Sequence, residues 1–252
     1  MKSKLIHYVA ILIAGVCIYG FNACATTINA PSTYANITID GSFSDWASVP
    51  LAYSQPQLPA DVVQYDQLYV ANDANYLYIY FTLYTPAYPF TSSQNLFFDA
   101  DTNYATGDHE HGIGSDMGVQ SGVGFQQASG VFNTGGTING LNYMMASNSL
   151  GTSYELRISL DATYNTGGAP VFTGDTVSIY LESSEAGGSE WFPNFSSSAP
   201  AGLTYTLAAA PVPEPSSFSL LAFGGGALAI IGIARRRRET MHEVRQKVSK
   251  RL

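Results

Sequence analysis

Acidic side chains near the middle of the 252-residue chain have the type and spacing needed to bind a metal ion. Asp99, Asp101 and Asn103 stand two residues apart, so three oxygen ligands can turn toward one centre, as at the early positions of calcium loops. Asp108 and Asp116 follow and complete the predicted ligand set. Hard oxygen ligands without a thiolate favour Ca²⁺ over Zn²⁺. We therefore predict a calcium site; the alternative is an Asp/Asn-rich turn that caps its own backbone.

Three further residues of this acidic segment, His109, Glu110 and His111, suggest a catalytic or transition-metal site. Histidines at i and i+2 on a strand project to one side and could share a metal ion with Asp108 or Asp116. The chain has no His-Glu-x-x-His pattern that would place two histidines on one helix face. We expect the three residues to form a solvated polar loop.

Side chains around the second of the two tryptophans are suited to contact a sugar. Glycine and proline residues flank Trp191 and predict a loop. Its ring can stack on the apolar face of a neutral sugar, while Glu190 and Asn194 can bond hydroxyl groups. The alternative is that Trp191 plugs one end of the fold. Trp46 lies among apolar residues and is expected to fill the core.

No arrangement typical of an enzyme stands out in the sequence. An active site requires a nucleophile with a base, or two poised carboxylates. The chain has no Gly-x-Ser-x-Gly elbow, and a glycosidase acid pair cannot be picked from the many scattered carboxylates. We therefore predict a protein without catalytic activity.

Charged residues are distributed very unevenly along the chain. Residues 26–212 contain sixteen acidic residues and a single basic residue, Arg157. Such an acidic surface repels phosphate backbones, which argues against nucleic acid as a partner. It also disfavours anionic lipid and anionic polysaccharide unless a divalent cation intervenes. A neutral glycan would not be repelled.

The N-terminal 25 residues have the parts of a secretory signal peptide. Two lysines precede an uncharged, largely apolar run from Leu5 to Phe21, and a small-residue Ala-Cys-Ala pattern follows. This pattern predicts cleavage after Ala25. A lipoprotein would instead be lipidated on Cys24. Because Cys17 and Cys24 are the only cysteines, the mature protein would contain no disulfide.

The C-terminal end begins with a proline-rich linker, residues 208–217, that contains the triplet Pro213, Glu214 and Pro215. An uncharged apolar run, residues 218–234, follows. At about 1.5 Å per helical residue it spans roughly 25 Å, the short end of a bilayer crossing. We therefore predict a transmembrane helix over this run.

Four consecutive arginines, Arg235, Arg236, Arg237 and Arg238, end the apolar run. They are costly to move through hydrocarbon, so they should stop the helix and keep a basic tail, residues 235–252, in the cytoplasm. From residue 211 to residue 238 the chain resembles the PEP-CTERM sorting signal of Gram-negative bacteria. The resemblance implies export across the inner membrane, temporary anchoring, recognition by an exosortase, and delivery to the cell surface or the extracellular space. Bacteria with this system commonly secrete exopolysaccharide.

Between the terminal signals the sequence is typical of an all-β protein. Runs rich in Tyr, Ile, Val, Thr and Phe alternate with clusters of Gly, Asn, Asp, Ser and Pro. In the clearest run, Leu77, Ile79 and Phe81 can face a core while the tyrosines between them face the other side. We predict an antiparallel β-sandwich of jelly-roll type over residues 26–207. Its strands are expected near Ile37–Ile39, Gln67–Ala71, Leu77–Leu83, Asn95–Asp99, Gly118–Gln126, Leu141–Ala146, Ser153–Ser159, Thr176–Glu182 and Leu203–Leu207.

Short motifs occur in order along residues 36–207: Ile39-Asp40-Gly41 with Asp45-Trp46, Asn72 to Tyr78, Phe98 to Asp101 with Thr106-Gly107, Gly114-Ser115-Asp116, and Tyr154 to Ile158. Together they resemble family 9 carbohydrate-binding modules and their DOMON-like relatives. The resemblance implies a jelly-roll sandwich that often carries structural calcium and in some members grips sugar ends between aromatic rings. In the first motif we expect a corner in which Asp45 bonds backbone amides and Trp46 packs under the sheet.

Taken together, these patterns predict an exported, surface-sorted, non-catalytic protein that binds neutral carbohydrate or extracellular polysaccharide and has a calcium-ordered loop. One alternative is a purely structural surface or biofilm-matrix protein without a small ligand. The other is a glycan hydrolase whose site the sequence does not reveal.

Overall fold

The computed structural model describes residues 28–57, 64–86, 94–110, 112–127, 132–185, 188–193 and 202–212, together with Arg236 and Arg238. The chain divides into two compact units, Met1–Ala210 and Pro211–Leu252. The first unit contains the β-structure.

The described part of the first unit is built from two large sheets and two small strand pairs. The strands are β1 Ile28–Ala30, β2 Tyr53–Ser54, β3 Tyr65–Asn72, β4 Tyr76–Leu83, β5 Gln94–Asp99, β6 Asp108–Glu110, β7 Ile113–Ser115, β8 Met117–Gln120, β9 Val123–Gln126, β10 Ile138–Asn139, β11 Met144–Ser147, β12 Ser153–Ser159, β13 Thr163–Tyr164, β14 Thr176–Glu185, β15 Gly188–Phe192 and β16 Leu203–Thr206. The seven-stranded sheet has the order β1-β16-β14-β5-β8-β9, with β15 also paired to β14, and the five-stranded sheet has the order β11-β12-β4-β3-β2. Neighbouring strands run antiparallel except β1 and β16.

The two large sheets pack face to face around one apolar core. Leu77, Ile79 and Phe81 of β4 are buried there, as their alternation predicts, and residues such as Leu96 and Ile179 face them from the other sheet. Burying this much branched and aromatic surface is the main favourable contribution to folding. The prediction of an all-β sandwich is confirmed.

The outer face of the five-stranded sheet is covered by a segment that we call the N-terminal strap, residues 35–49. Trp46 lies in a short 3₁₀ helix of the strap, Phe43–Ser48, and packs beside Tyr80 with ring centroids 5.4 Å apart. The indole Nε1 donates a 2.9 Å hydrogen bond to the carboxylate of Glu155, which is fully buried. The predicted structural role of Trp46 is confirmed.

The strand expected at Ile37–Ile39 does not form, because nearby carboxylates take up the backbone N–H groups of this segment. Thr38 N–H donates to the Asp45 carboxylate at 3.0 Å, as the predicted corner requires. The N–H groups of Asp40 and Gly41 both donate to Glu155 Oε1, at 2.9 and 2.7 Å. These contacts replace the strand partner that the Ile-Thr-Ile pattern suggested.

Other predicted strands differ in their limits for local backbone reasons. The strand expected at Gly118–Gln126 is a hairpin, since Ser121 and Gly122 adopt positive φ angles of 50° and 77° and reverse the chain. The strand expected at Leu141–Ala146 begins only at Met144. Asn142 has a φ of 47°, which is incompatible with an extended strand.

A small polar network joins the two chain ends of the sandwich. The Tyr205 hydroxyl donates to Asn72 Oδ1 at 2.7 Å and also contacts the Thr33 carbonyl oxygen at 2.9 Å. Ala208 N–H donates to the same Asn72 oxygen at 2.7 Å. The first residue of the predicted linker is therefore still tied to the folded domain, while Val212 is 87% exposed.

Of the second unit, the structure describes Pro211, Val212, Arg236 and Arg238; the two arginines are helical and exposed. Within the described residues, no helix is long and apolar enough to cross a membrane. The predicted signal peptide, the triplet Pro213, Glu214 and Pro215, the apolar run 218–234, and Arg235 and Arg237 lie outside the described residues.

Candidate functional site

Three aspartates meet at one edge of the seven-stranded sheet. Asp99 ends β5, Asp116 stands between β7 and β8, and Asp101 lies in the loop after β5. One carboxylate oxygen from each residue lies within 4.8 Å of the other two. Asp116 N–H donates to the Phe98 carbonyl at 2.8 Å, so backbone pairing brings together residues that are distant in sequence. The sequence analysis predicts all three aspartates as ligands of one calcium site.

Backbone and hydroxyl donors hold these carboxylates in place. Asp116 Oδ2 accepts the Ala100 N–H at 2.9 Å, and Asp99 Oδ2 accepts the Gly114 N–H at 3.2 Å. Asp101 accepts the Thr106 hydroxyl at 3.0 Å. The aspartates are thus oriented by short-range contacts before any ligand arrives.

Two of the three carboxyl groups are buried and hold their protons unusually tightly. Burial raises the pKa of Asp99 to about 6, and the neighbouring charge of Asp101 adds to the effect. Burial likewise raises the pKa of Asp116 to about 6, again with a contribution from Asp101. A cation would reduce the electrostatic repulsion between these crowded, desolvated carboxylates. A donor set made only of oxygen atoms favours a hard cation.

The two other predicted ligands are placed differently. Asn103 Oδ1 accepts the Ala105 N–H at 3.1 Å, which is the self-capping contact of the turn alternative. Asp108 is buried in β6 opposite Ser115 and is not part of the three-aspartate group. The structure therefore brings together the carboxylates of three predicted residues, and Asn103 contacts two of them through its N–H, which donates to Asp99 at 3.2 Å and to Asp101 at 2.8 Å.

A close approach of two loops fixes the shape of this acidic cluster. A Cβ added at Gly114 would lie 2.5 Å from the Asn103 carbonyl oxygen and would also contact that of Thr106. A Cβ added at Gly107, which has a φ of +68°, would come even closer to the Ser115 carbonyl oxygen. Both positions therefore require glycine.

The segment expected to be a loop at 109–111 is in part a strand. Asp108–Glu110 pairs with Ile113–Ser115 around Gly112, which has a φ of 87°. His109 is exposed, and its ring stacks on that of Tyr104 at 4.6 Å. His111 lies outside the described residues.

Trp191 lies in strand β15, not in the expected loop. Its neighbour Phe192 is fully buried opposite Leu181 of β14, and this burial explains why the segment joins the sheet. Trp191 is half-buried and sits 5.7 Å from the ring of Tyr180, on the face turned away from the core. Glu190 pairs with Ser183 of β14, and Asn194 lies outside the described residues.

Cross-strand register places Trp191 at one end of a row of polar side chains, which we call the outer row. Trp191 is opposite Glu182, Glu182 is opposite Asn95, and Asn95 is opposite Gln120. The next row along the same face of the sheet contains Tyr180 and Phe97, whose ring centroids lie 4.9 Å apart in a stacked arrangement. Strands about 4.8 Å apart give the outer row a length of roughly 14 Å.

Asn95 is the unusual member of the outer row. Its side chain is only 5% exposed, and its Nδ2 donates to Glu182 Oε2 at 2.9 Å. Its Oδ1 is buried and has no hydrogen-bond partner among the residues that the structure describes. A buried acceptor without a donor is costly, so a hydrogen bond from a water molecule or a ligand would stabilise this group.

Sequence reasoning missed Glu182, Asn95 and Gln120. Alternation in β5 could have shown that Asn95 and Phe97 point away from the core, since Leu96 and Phe98 point toward it. Nothing local in the sequence indicates that the four residues of the outer row share a register.

Residues 211–238 match the family model of the PEP-CTERM protein-sorting motif. The chain carries this sorting signal. No curated protein matches the chain.

Among solved structures, the chain is similar to a family 9 carbohydrate-binding module from Caldicellulosiruptor kristjanssonii in complex with glucose. The two sequences are 16% identical, the match covers 75% of this chain and 100% of that chain, and the TM-score is 0.43. A second structure of a module from the same organism, in complex with cellotriose, has 14% identity, covers 74% and 100% of the two chains, and has a TM-score of 0.41.

Proposed function

We propose that this chain is an exported, non-catalytic surface protein that binds neutral carbohydrate through the outer row. The PEP-CTERM signal supports sorting to the surface after anchoring in the membrane, with an exosortase as the partner that recognises residues 211–238. The side chains of the outer row support the binding step. The two carbohydrate-binding modules are too dissimilar to this chain, with TM-scores of 0.43 and 0.41, to carry the proposal.

The observation that carries the binding proposal is the buried Oδ1 of Asn95, which has no hydrogen-bond partner among the described residues and lies two strands from Trp191 in the outer row. A sugar hydroxyl would donate to this oxygen once the Asn95 side chain turns toward the surface, and the Glu182 carboxylate would accept a second hydroxyl proton. The half-buried ring of Trp191 would stack on the apolar face of the same sugar. An aromatic surface with a few fixed polar groups is the usual composition of a small-ligand site.

Charge supports a neutral glycan over an acidic one. The outer row contains the carboxylate of Glu182, and residues 26–212 have one basic residue against sixteen acidic ones. An anionic sugar would be repelled, whereas hydroxyl groups gain hydrogen bonds from the same carboxylate.

The acidic cluster fits a calcium ion as a structural partner of this function. Asp99, Asp101 and Asp116 would hold the ion, which would offset their mutual repulsion and tie the loop after β5 to the start of β8. The ion supplies charge neutralisation and no chemistry. The neighbouring residues contribute by orienting the carboxylates through their N–H and hydroxyl groups.

Affinity measurements on the full chain in detergent micelles test the binding step. We expect the wild type to bind neutral oligosaccharides at the outer row and Trp191→Ala to lose binding at this row. Tyr84→Ala, which removes an exposed aromatic ring just after β4 of the five-stranded sheet, is the matched control and should bind normally. A wild-type protein that retains no neutral glycan would favour the structural surface protein, and turnover of a glycosidic substrate would favour the hydrolase.

A further inference from the structure

The single basic residue of residues 26–212, Arg157, occupies an unusual place on the five-stranded sheet. It lies in β12 on the outer face, two residues after Glu155, and it pairs with Tyr78 of β4 and Met144 of β11. Its guanidinium carbon lies 4.3 Å from the centre of the Tyr76 ring. A guanidinium over an aromatic face is held in a fixed orientation by cation–π attraction.

The hydrogen-bond donors of this guanidinium have no acceptor within the described ranges of the chain. Arg157 Nε is buried and has no hydrogen-bond partner among those residues. No hydrogen bond or ion pair links Arg157 to any residue in the part of the chain that the structure describes. In a domain with sixteen carboxylates, an arginine without an acceptor is unexpected, and a buried unsatisfied donor calls for an explanation.

Nearby carboxylates are already engaged by other donors. Glu155 accepts three N–H groups, from Asp40, Gly41 and Trp46. Asp73 Oδ2 accepts the hydroxyl of Tyr78 at 2.7 Å. These two negative charges offset the single positive charge of the guanidinium, so this corner of the sheet has donors to offer but no net attraction for anions.

From this geometry we infer that Arg157 forms a second glycan contact, which binds the hydroxyl groups of a neutral sugar. The planar guanidinium offers paired donors to adjacent oxygens, and Met144, which is 43% exposed, provides an apolar wall beside it. The inference rests on the proposed function only for the class of ligand, because its residues are on the opposite sheet from Trp191. A protein with a glycan contact on each outer face can link two polymer strands.

One titration by NMR reads both sites in the full chain. The chain has two tryptophans, so its spectrum contains two indole N–H signals. The Arg157 Nε–H signal is assigned as the one that is missing from the spectrum of Arg157→Gln. With neutral cello-oligosaccharide as the probe, we expect the Arg157 signal to shift in the wild type and equally in Trp191→Ala. Arg157→Lys, which keeps the charge but removes the planar donor pair, should lose about tenfold in affinity at this site. The buried Trp46 indole reports whether each variant is folded.

A Trp191 signal that shifts while the Arg157 signal stays fixed would overturn the second site and leave the proposed function intact. An Arg157 signal that responds to glucuronate but not to the neutral sugar, with a shift that weakens as salt is added, would also overturn it, because the ligand would then be an anion. If neither signal responds to any glycan, both proposals fall.

Discussion

The outer faces of the two sheets each carry a buried polar side chain, but the two side chains differ in their hydrogen bonding. On the five-stranded sheet, Glu155 is fully buried and its carboxylate accepts three N–H groups from the N-terminal strap. On the seven-stranded sheet, Asn95 is almost as deeply buried, yet its Oδ1 has no hydrogen-bond partner in the part of the chain that the structure describes. Contacts within the chain satisfy the first group, which makes it structural. In the proposed function, the second group binds a ligand.

The largest expected effect on stability comes from Glu155, the buried side chain whose carboxylate accepts hydrogen bonds from the strap. Glu155→Ala removes the common acceptor of three N–H groups and detaches the strap from the sheet. We expect a loss of about 3–5 kcal/mol in the free energy of unfolding, measured by urea denaturation.

Glu182→Ala is the matched control, because it removes the same side chain from the outer face of the other sheet. It should cost only about 1–3 kcal/mol, because it leaves one donor, the Asn95 amide, without its acceptor, whereas Glu155→Ala leaves three N–H groups without theirs. Equal losses in the two variants would contradict the contrast between the faces.

Calcium should have the next largest effect, through the acidic cluster. Saturating the site at about a hundred times its dissociation constant would stabilise the fold by about 2.7 kcal/mol. We expect chelation with EDTA to lower the melting temperature of the wild type. The double variant Asp99→Ala and Asp101→Ala should have a melting temperature that EDTA does not change. A wild-type melting curve that is the same with and without EDTA would exclude a stabilising ion.

Proton binding at the same cluster gives a smaller effect of defined sign. In the metal-free protein, the pKa values of Asp99 and Asp116 are raised from 3.8 to about 6 by burial. Folded protein therefore binds these protons more tightly than the unfolded chain. Their contribution to stability is fully present below pH 3.8 and is lost as the pH rises through about 6.

Urea midpoints measured in EDTA across this interval should fall with rising pH more steeply in the wild type than in Asp99→Asn with Asp116→Asn. Calcium should reverse the trend, because the ion and the protons compete for the same oxygens. A wild-type slope equal to that of the double variant would show that the two carboxyl groups titrate normally.

Asn95→Leu should have the smallest effect on stability and a large effect on binding. The substitution removes an unsatisfied buried acceptor, so the free energy of unfolding should change by less than about 1 kcal/mol. Affinity for a neutral oligosaccharide should fall about tenfold, as expected for a lost hydrogen bond. Calorimetric titration measures this change, and an unchanged affinity would remove Asn95 from the site.

The sequence predicts the features that depend on short segments. Alternation along Leu77, Ile79 and Phe81 correctly indicates a strand with one core face, and the Asp99 segment correctly indicates where acidic side chains collect. Features that depend on pairing between distant strands are not predictable in this way. The outer row exists because β15, β14, β5 and β8 share one register. Likewise, Ile37–Ile39 fails to form a strand because Glu155, more than a hundred residues away, binds the N–H groups that follow it.

Isothermal titration of a neutral oligosaccharide into the full chain tests the central claim most directly, with wild type, Trp191→Ala and Tyr84→Ala compared side by side. The account predicts saturable binding by the wild type and by Tyr84→Ala, and none at the outer row of Trp191→Ala. Equal binding by all three proteins would contradict it.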